Sequence, residues 1–349
     1  MGRKLFLGSV VLLLAACSGG SDDATPASGG SAGSSGAAGS GGSATGGSGG
    51  SGGSTGGAAG TGGAAGADGG VADAGKDAGF VDPVATAQPT QKVQGGFQFV
   101  EGPAWHDGTL YFSDIPANRI YQLTPPGSAV SYRDPSGQSN GLAFDGAGKL
   151  VACEHAGRRV SRTLVNPNTE VVADSWQGKK LNSPNDLAIR SDGTVYFTDP
   201  PYGGNTNELG FQGVFRVDAS GTLHLESQDM FRPNGAVLSP SETVLYVSDS
   251  EQHYVRRFDV ATDGALSNPS KLTDTSNTPD GMTVDAQGDL FVATSAGVEV
   301  YRPDGTLIGT LPVPEQPSNV TFGGSAGTTL YVTAQTTVYS IELSVTGVP

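Results

Sequence analysis

The sequence predicts an all-β fold, a six-bladed β-propeller whose ring is closed by pairing between an N-terminal and a C-terminal strand. One phrase recurs six times: a polar residue, a short alternating strand, a turn, and a second strand rich in Tyr, Phe, Val and Leu. The copies follow one another at intervals of about 40 to 50 residues, which leaves room for four short strands in each, as in a propeller blade. No stretch keeps a helical period over a dozen residues.

Turn signals and the chain ends complete this prediction. Period-2 alternation and DG, GxG and PPG turns give each copy a hairpin pattern, and fourth strands are expected at 129–134 and 170–176 in the first two blades. The sixth copy ends before a fourth strand. The segment KVQGGFQFV (92–100) precedes the first blade, so we expect it to pair with VYSIELS (338–344) and leave no long exposed edge.

The chain divides into three regions. Residues 1–17 form a charged and then apolar leader that ends in LAAC, which resembles a bacterial lipobox and implies lipid attached to Cys17; an ordinary secretory signal is the alternative. Residues 18–90 are almost wholly Gly, Ser, Ala and Thr, so we expect a disordered tether. Residues 91–349 form the propeller domain. The usual sorting pattern, with Ser18 after the cysteine, implies a cell-envelope protein anchored to the outer membrane, on a side that the sequence does not predict.

Charge and cysteine content exclude several classes of function. With 34 acidic and 19 basic side chains the net charge is −15, which argues against nucleic-acid binding and against membrane contact other than through the lipid anchor. The second cysteine, Cys153, has no partner within the propeller domain for a disulfide. No oligomeric state is predicted.

The residues that lead the six copies form the candidate site. Because the innermost strand of each blade lines the central channel, these residues share one rim: Glu101, Asn140, Asn185, Asn234, Asp280 and Asn319. Any one Asn or Asp could start a strand merely because it favours turns. Six converging oxygens are different, since unpaired buried polar groups cost about 1–3 kcal/mol each and facing carboxylates repel. Without Cys or His, the set favours a divalent cation, Ca²⁺ first, with Mg²⁺ or Zn²⁺ as alternatives.

Four motifs carry a family resemblance. EGPAW, SPND, RPNG and PDGM, in this order, resemble the regucalcin/gluconolactonase (senescence marker protein) family, and FTDPPYG and LYVSD resemble its bacterial gluconolactonase branch. The resemblance covers residues 97–342 and implies hydrolysis of sugar lactones at a divalent metal. By motif it assigns Glu101, Asn234 and Asp280 as metal ligands, with Asp280 also the candidate catalytic base. Asn185 matches the residue that contacts the metal, its water or the substrate. The family's substrate-contacting Arg is Ser183 here, which leaves the sugar preference open.

The remaining assignments concern the substrate. Asn140, Asn185, His155 and Tyr202 are expected to contact it, because they lie at the rim or in loops beside it. We therefore expect a lactonase in which the metal polarises the lactone carbonyl and activates water, with Asp280 as the base or as a residue that orients the water. Two alternatives stay open: a related propeller that cleaves phosphotriesters or other esters, and a non-catalytic cell-envelope binding propeller stabilised by the ion.

Overall fold

The computed structural model describes residues 79–204 and 207–348, and these ranges form the predicted six-bladed propeller from strands alone. The predicted signal peptide, Cys17 and most of the predicted tether lie outside the described residues. The described residues contain no helix that is long and apolar enough to cross a membrane.

Each blade is a four-stranded antiparallel sheet, with its inner strand at the channel. Blade one contains β2 (Val100–His106), β3 (Thr109–Asp114), β4 (Arg119–Leu123) and β5 (Val130–Arg133), and blade two β6 (Ser139–Phe144), β7 (Leu150–Glu154), β8 (Arg159–Val165) and β9 (Asn168–Ala173). Blade three, which follows the small hairpin β10 (Ser175–Trp176) and β11 (Lys179–Lys180), contains β12 (Leu187–Ile189), β13 (Val195–Asp199), β14 (Gly213–Val217) and β15 (Leu223–Ser227). Blade four contains β16 (Pro233–Leu238), β17 (Val244–Asp249), β18 (Tyr254–Val260) and β19 (Leu266–Asp274). Blade five contains β20 (Pro279–Val284), β21 (Leu290–Thr294), β22 (Gly297–Tyr301) and β23 (Leu307–Leu311). Blade six contains β24 (Pro317–Gly323), β25 (Thr329–Ala334), β26 (Thr337–Glu342) and β1 (Gln91–Gly95).

Blade six confirms the predicted ring closure. Its strand order is β1-β26-β25-β24, and β1 pairs antiparallel with β26, with Gln91 opposite Ser340 and Gly95 opposite Thr337. The outer strand of the last blade is therefore the first strand of the domain. One prediction was wrong in its extent: the fourth strand of blade two ends at Ala173, because Ser175–Trp176 turns away to pair in the small hairpin.

The core lies between the blades. Neighbouring sheets cover both faces of the second strands, so every residue of β7, β13 and β21 is buried although the side chains alternate in direction. The outer strand β9 is largely exposed. Aromatic rings fill several of the gaps, as where Phe291 of blade five meets Phe322 of blade six edge to face at 5.1 Å.

Contacts with the propeller extend to residues that precede the boundary predicted at residue 91. The backbone N–H of Gln88 donates to the Glu342 carbonyl at 2.9 Å, and Val84 packs against the apolar cluster between blades five and six. At the other end, Val345 joins the same cluster. Both ends of the described chain thus lie along the last two blades.

Candidate active site at the channel mouth

Irregular pairing turns the rim residues toward the channel. In five inner strands the register with the second strand shifts beside the rim residue, as between Glu101 and Ala104 and between Pro279 and Met282. In blade three Asn185 lies before the regular strand, and its N–H donates to the Thr198 carbonyl at 2.9 Å. Bulges of this kind re-aim side chains next to active sites.

Glycines let the inner strands approach closely. Four rim residues are followed by glycine: Gly102, Gly141, Gly235 and Gly281. A Cβ at Gly281 would lie 1.9 Å from Cγ of Asn319, and one at Gly102 would lie 2.1 Å from the Asn140 carbonyl oxygen. Any other residue at these two places would push neighbouring blades apart. Because these four glycines have no side chain, the inner strands approach closely enough for the rim side chains to meet.

The rim amides form one directed chain of hydrogen bonds. Asn140 Nδ2 donates to Asn185 Oδ1 at 2.7 Å, and Asn185 Nδ2 donates to Asn234 Oδ1 at 2.6 Å. Asn234 Nδ2 donates in turn to Ser250 Oγ at 2.9 Å and to the Tyr202 hydroxyl at 3.3 Å. His155 Nε2 lies 3.1 Å from Asn185 Oδ1. The three asparagines are buried, so their orientations are fixed by one another.

Two carboxyl groups complete the rim. Burial, and then the Asp280 charge, raise the pKa of Glu101 well above its usual range, although hydrogen bonds from Gly102 N–H and Asn319 act against this. Burial and the charge of Asp186 raise the pKa of Asp280 to about 7, while Asn234 and the Gly281 N–H donate to the carboxylate. Asp280 as a whole residue is partly exposed to solvent, but its carboxyl group is surrounded by protein atoms. Without a cation, the charged forms of both acids are disfavoured.

The rim suits a hard cation. Among residues 79–204 and 207–348, no three His, Cys, Asp or Glu side chains are arranged for a metal, so amide oxygens would have to complete the ligand set. Asn234 can supply one, because its amide oxygen accepts a single hydrogen bond, from Asn185, and keeps a second lone pair. Asn185 Oδ1 lies within hydrogen-bond distance of both Asn140 Nδ2 and His155 Nε2, so it can bind a cation only if one of these two partners moves away. Glu101 and Asp280 supply charge that a cation would neutralise. Carboxylate and amide oxygens are ligands that Ca²⁺ and Mg²⁺ prefer.

The structure brings the predicted site residues together. Asn140, Asn185, Asn234 and Asp280 share the hydrogen bonds above, and Glu101 joins them through Asn319, whose Nδ2 also lies 3.4 Å from Asp186 Oδ2. Of the residues expected to contact substrate, His155 is buried against Asn185, whereas Tyr202 is 40% exposed at the mouth.

Ser183, where the motif resemblance places an arginine, is held by hydrogen bonds in the loop before Asn185. Its N–H donates to Asp199 Oδ1 at 2.8 Å and its hydroxyl accepts from Gly203 N–H at 3.0 Å. This residue braces the loop before Asn185.

Sequence reasoning missed a second layer of supporting residues. Asp186 occupies the place of the glycine in blade three, and burial raises its pKa to about 7. Ser250 joins Asn234 to the Pro279 carbonyl. Asp199 and Asp249, at the ends of second strands, accept backbone N–H bonds from the loops that lead to Asn185 and Asn234. The repeated dipeptides SD and TD in FSD, FTD and VSD were the signal for this layer.

Comparison with known proteins places this chain among relatives of one family. A family model described as SMP-30/Gluconolactonase/LRE-like region matches residues 99–336. A gluconolactonase of Zymomonas mobilis is 33% identical over 296 residues, which span 74% of this chain and 82% of the relative. The solved structure of a gluconolactonase from Xanthomonas campestris is similar with a TM-score of 0.70 at 31% identity, covering 75% of this chain and 91% of that one. A calcium-binding regucalcin from Agrobacterium tumefaciens, at a TM-score of 0.64 and 18% identity over 74% of this chain and 95% of its own, shows likeness of fold alone.

Proposed function

The chain belongs to the SMP-30/Gluconolactonase/LRE-like family, and we propose that it is a lactonase that hydrolyses a sugar lactone at the channel mouth. The observation that carries this proposal is that Glu101, Asn185, Asn234 and Asp280, from four different blades, belong to one connected set of side chains at the channel mouth. A lactone is an activated ester, so the site needs only to polarise a carbonyl and to deliver water.

We propose that these four residues hold a divalent cation, Ca²⁺ in preference to Mg²⁺ or Zn²⁺. When bound, such an ion polarises the lactone carbonyl and makes a bound water more acidic. The paired carboxyl groups support this assignment, because burial has to be offset either by protons or by a cation.

Asp280 is the candidate general base. Asp280 is the more solvent-exposed of the two rim acids, and its carboxylate can accept a proton from the attacking water. The carbon–oxygen bond of the lactone ring then breaks, and the ring oxygen leaves as a hydroxyl that takes up the proton, giving the open-chain acid. If Asp280 only orients the water, solvent accepts that proton.

Asn140, His155 and Tyr202 are proposed to position the lactone. Burial lowers the pKa of His155 to about 4, so its imidazole is neutral at physiological pH and acts through hydrogen bonding. Tyr202 forms an aromatic wall whose hydroxyl lies beside Asn234. Because Ser183 replaces an arginine, we expect the sugar preference to differ from that of relatives that keep the arginine.

The experiment that tests this function combines a cation titration with a substrate panel. We expect Ca²⁺ to raise the melting temperature of the chelator-treated protein and to restore hydrolysis of gluconolactone or another aldonolactone. Homoserine lactones and paraoxon test the ester and phosphotriester alternative. Cation binding with no turnover of any substrate would instead support a binding propeller.

The subcellular localisation is a separate proposal. We propose that Cys17 carries lipid and anchors the domain to the outer membrane. Membrane fractionation and mass spectrometry of the N-terminal peptide test this, and a Cys17→Ser variant should be released from the membrane fraction.

A further inference from the structure

The hairpin of blade five between β20 and β21, residues 285–289, buries two acidic side chains. Asp285 is 0% and Asp289 1% exposed. Three of their four carboxylate oxygens, Asp285 Oδ2 and both oxygens of Asp289, have no hydrogen-bond partner. In the described ranges, every buried carboxylate oxygen in this condition belongs to this pair. Unsatisfied buried acids are costly, so each calls for a physical explanation.

The turn itself does not explain the second acid. Asp285 Oδ1 accepts from the N–H groups of Gln287 and Asp289, both at 2.9 Å, which is a common way to brace such a turn. Blade two makes the same turn: Asp145 Oδ1 accepts from Ala147 N–H and Lys149 N–H at 3.0 and 2.9 Å. There the fifth residue is a lysine instead of Asp289.

The two hairpins differ in how their carboxylates are balanced. In blade two the second oxygen of Asp145 is paired with Arg162 Nε at 2.9 Å. In blade five the nearest basic group is Arg302, whose Nε lies 3.5 Å from Asp289 Oδ1 and whose side chain is partly exposed. Arg302 is thus paired with Asp289, and no ion pair is seen for Asp285 among the described residues. Burial and the charge of Asp285 raise the pKa of Asp289 to about 6, and the Asp82 charge adds to this.

Segments from both ends of the domain cover this hairpin. Val81 and Gln287 exchange two hydrogen bonds: Val81 N–H donates to Gln287 Oε1 at 3.0 Å, and Gln287 Nε2 donates to the Val81 carbonyl at 2.9 Å. On another side Ala286 N–H donates to the Thr346 carbonyl at 2.8 Å. The hairpin lies at the far end of β20 from Asp280, so it is separate from the rim.

We propose that Asp285 and Asp289 bind a hard divalent cation, Ca²⁺ in preference to Mg²⁺, which fastens residues 80–82 to blade five. The donors are the two carboxylates, with no Cys or His among the hairpin residues, and the negative charge of Asp82 acts on Asp289 from nearby without belonging to the ligand set. A cation would provide a partner for Asp285 Oδ2 and Asp289 Oδ2 and would add to the charge balance that Arg302 gives Asp289. The lactone site does not enter this proposal, because its residues lie at the other end of the strand.

The stoichiometry of calcium binding to the full chain tests the proposal. After chelation and dialysis, isothermal titration calorimetry should detect two Ca²⁺ per wild-type chain, one at the rim and one at the hairpin. The Glu101→Gln/Asp280→Asn variant should keep one, and the Asp285→Asn/Asp289→Asn variant should also keep one while it retains lactonase activity. Asp145→Asn, the matched hairpin control in blade two, should bind as the wild type does.

A second variant guards against a folding defect. Asp289→Lys introduces at this turn the lysine that blade two has there, and the ammonium of this lysine takes the place of the cation. We expect this variant to fold and to bind one Ca²⁺ fewer than the wild type. In the wild type, Ca²⁺ should slow amide hydrogen exchange in residues 80–84, and in Asp289→Lys it should have no effect there. The proposal is overturned if the hairpin variants bind as much Ca²⁺ as the wild type, or if the rim variant binds none. A rim variant that binds as much as the wild type contradicts the rim site alone.

Discussion

Asn185 and Asn234 are joined side chain to side chain across two blades by a 2.6 Å hydrogen bond from Nδ2 of the first to Oδ1 of the second. Asn185 simultaneously accepts from Asn140, and Asn234 donates onward to Ser250. Each amide therefore gives and receives, and its orientation is set by its neighbours. Rim oxygens are thus aimed before any ligand arrives, which is the preorganisation that a metal or oxyanion site requires.

Replacing Asn185 should disable the rim. Asn185→Ala leaves Asn140, His155 and Asn234 each without one partner, so we expect the free energy of unfolding to fall by about 1–3 kcal/mol and calcium affinity to fall with it. Urea denaturation and calcium titration measure the two effects. Asn168→Ala, on the exposed outer strand of blade two, is the control and should change neither. A wild-type calcium affinity in Asn185→Ala would exclude this residue from the ligand set.

Replacing either rim carboxyl group by an amide should strongly slow lactone hydrolysis. For Asp280→Asn and Glu101→Gln we expect kcat/KM for the lactone to fall by at least about 10², because each change removes a proposed cation ligand and the first also removes the base. The cation-free forms should melt higher than the cation-free wild type, because burial opposes the ionisation of Glu101 and Asp280 and this cost is absent for the amides. Asp107→Asn, in an exposed hairpin, serves as the control. Rates near wild type in both rim variants would contradict the proposed mechanism.

His155 predicts a pH dependence of stability. The pKa of its imidazole is about 4 in the folded protein, against an ordinary value of 6.5 in the unfolded chain, so between these two values the unfolded chain binds more protons. The stabilisation from neutral His155 is complete above pH 6.5 and is lost as the pH falls toward 4, up to roughly 3 kcal/mol. Denaturation at pH 7, 6, 5 and 4.5 should show a shallower decline in His155→Gln. Equal slopes for the two proteins would show that His155 is not buried in its neutral form.

Gly281 should tolerate no side chain. A Cβ there meets the Asn319 amide at 1.9 Å, so we expect Gly281→Ala to cost about 1–3 kcal/mol and to lower kcat/KM by displacing the rim. Gly146→Ala is the matched control, because no atom lies within 4 Å of its added Cβ and its backbone angle is ordinary; that change should be neutral or slightly stabilising. Thermal melts and lactone assays of the pair decide the matter.

Ring closure should govern overall stability. A chain that begins at Gly96 lacks β1 and leaves the β26 edge open, so we expect its melting temperature to fall by at least about 5 °C and its tendency to associate to rise. A chain that begins at Gly79 keeps β1 and should melt close to the full-length protein. Calorimetry and light scattering compare the two, and equal melting temperatures would mean that β1 adds little.

The repeats made the propeller predictable, because six copies of one strand pattern specify six equivalent sheets. The same equivalence placed Glu101, Asn234 and Asp280 on one rim without any knowledge of distances. Asp186 escaped notice, since its importance depends on a glycine-lined layer that only the packed blades create. The buried pair Asp285 and Asp289 could not be predicted for a similar reason: the sequence shows the turn motif but not which oxygens lack partners.

The pairing of β1 with β26 also has a consequence for biosynthesis. The ribosome synthesises β1 before every other strand of the propeller and its pairing partner β26 after all of them. The nascent chain therefore carries an unpaired strand until the last blade has been made. Asn319 likewise emerges only with the final blade. Enzymatic activity therefore requires that the final blade has been synthesised. A product terminated before that blade would be inactive and prone to aggregate, which makes it a target for chaperones and proteases.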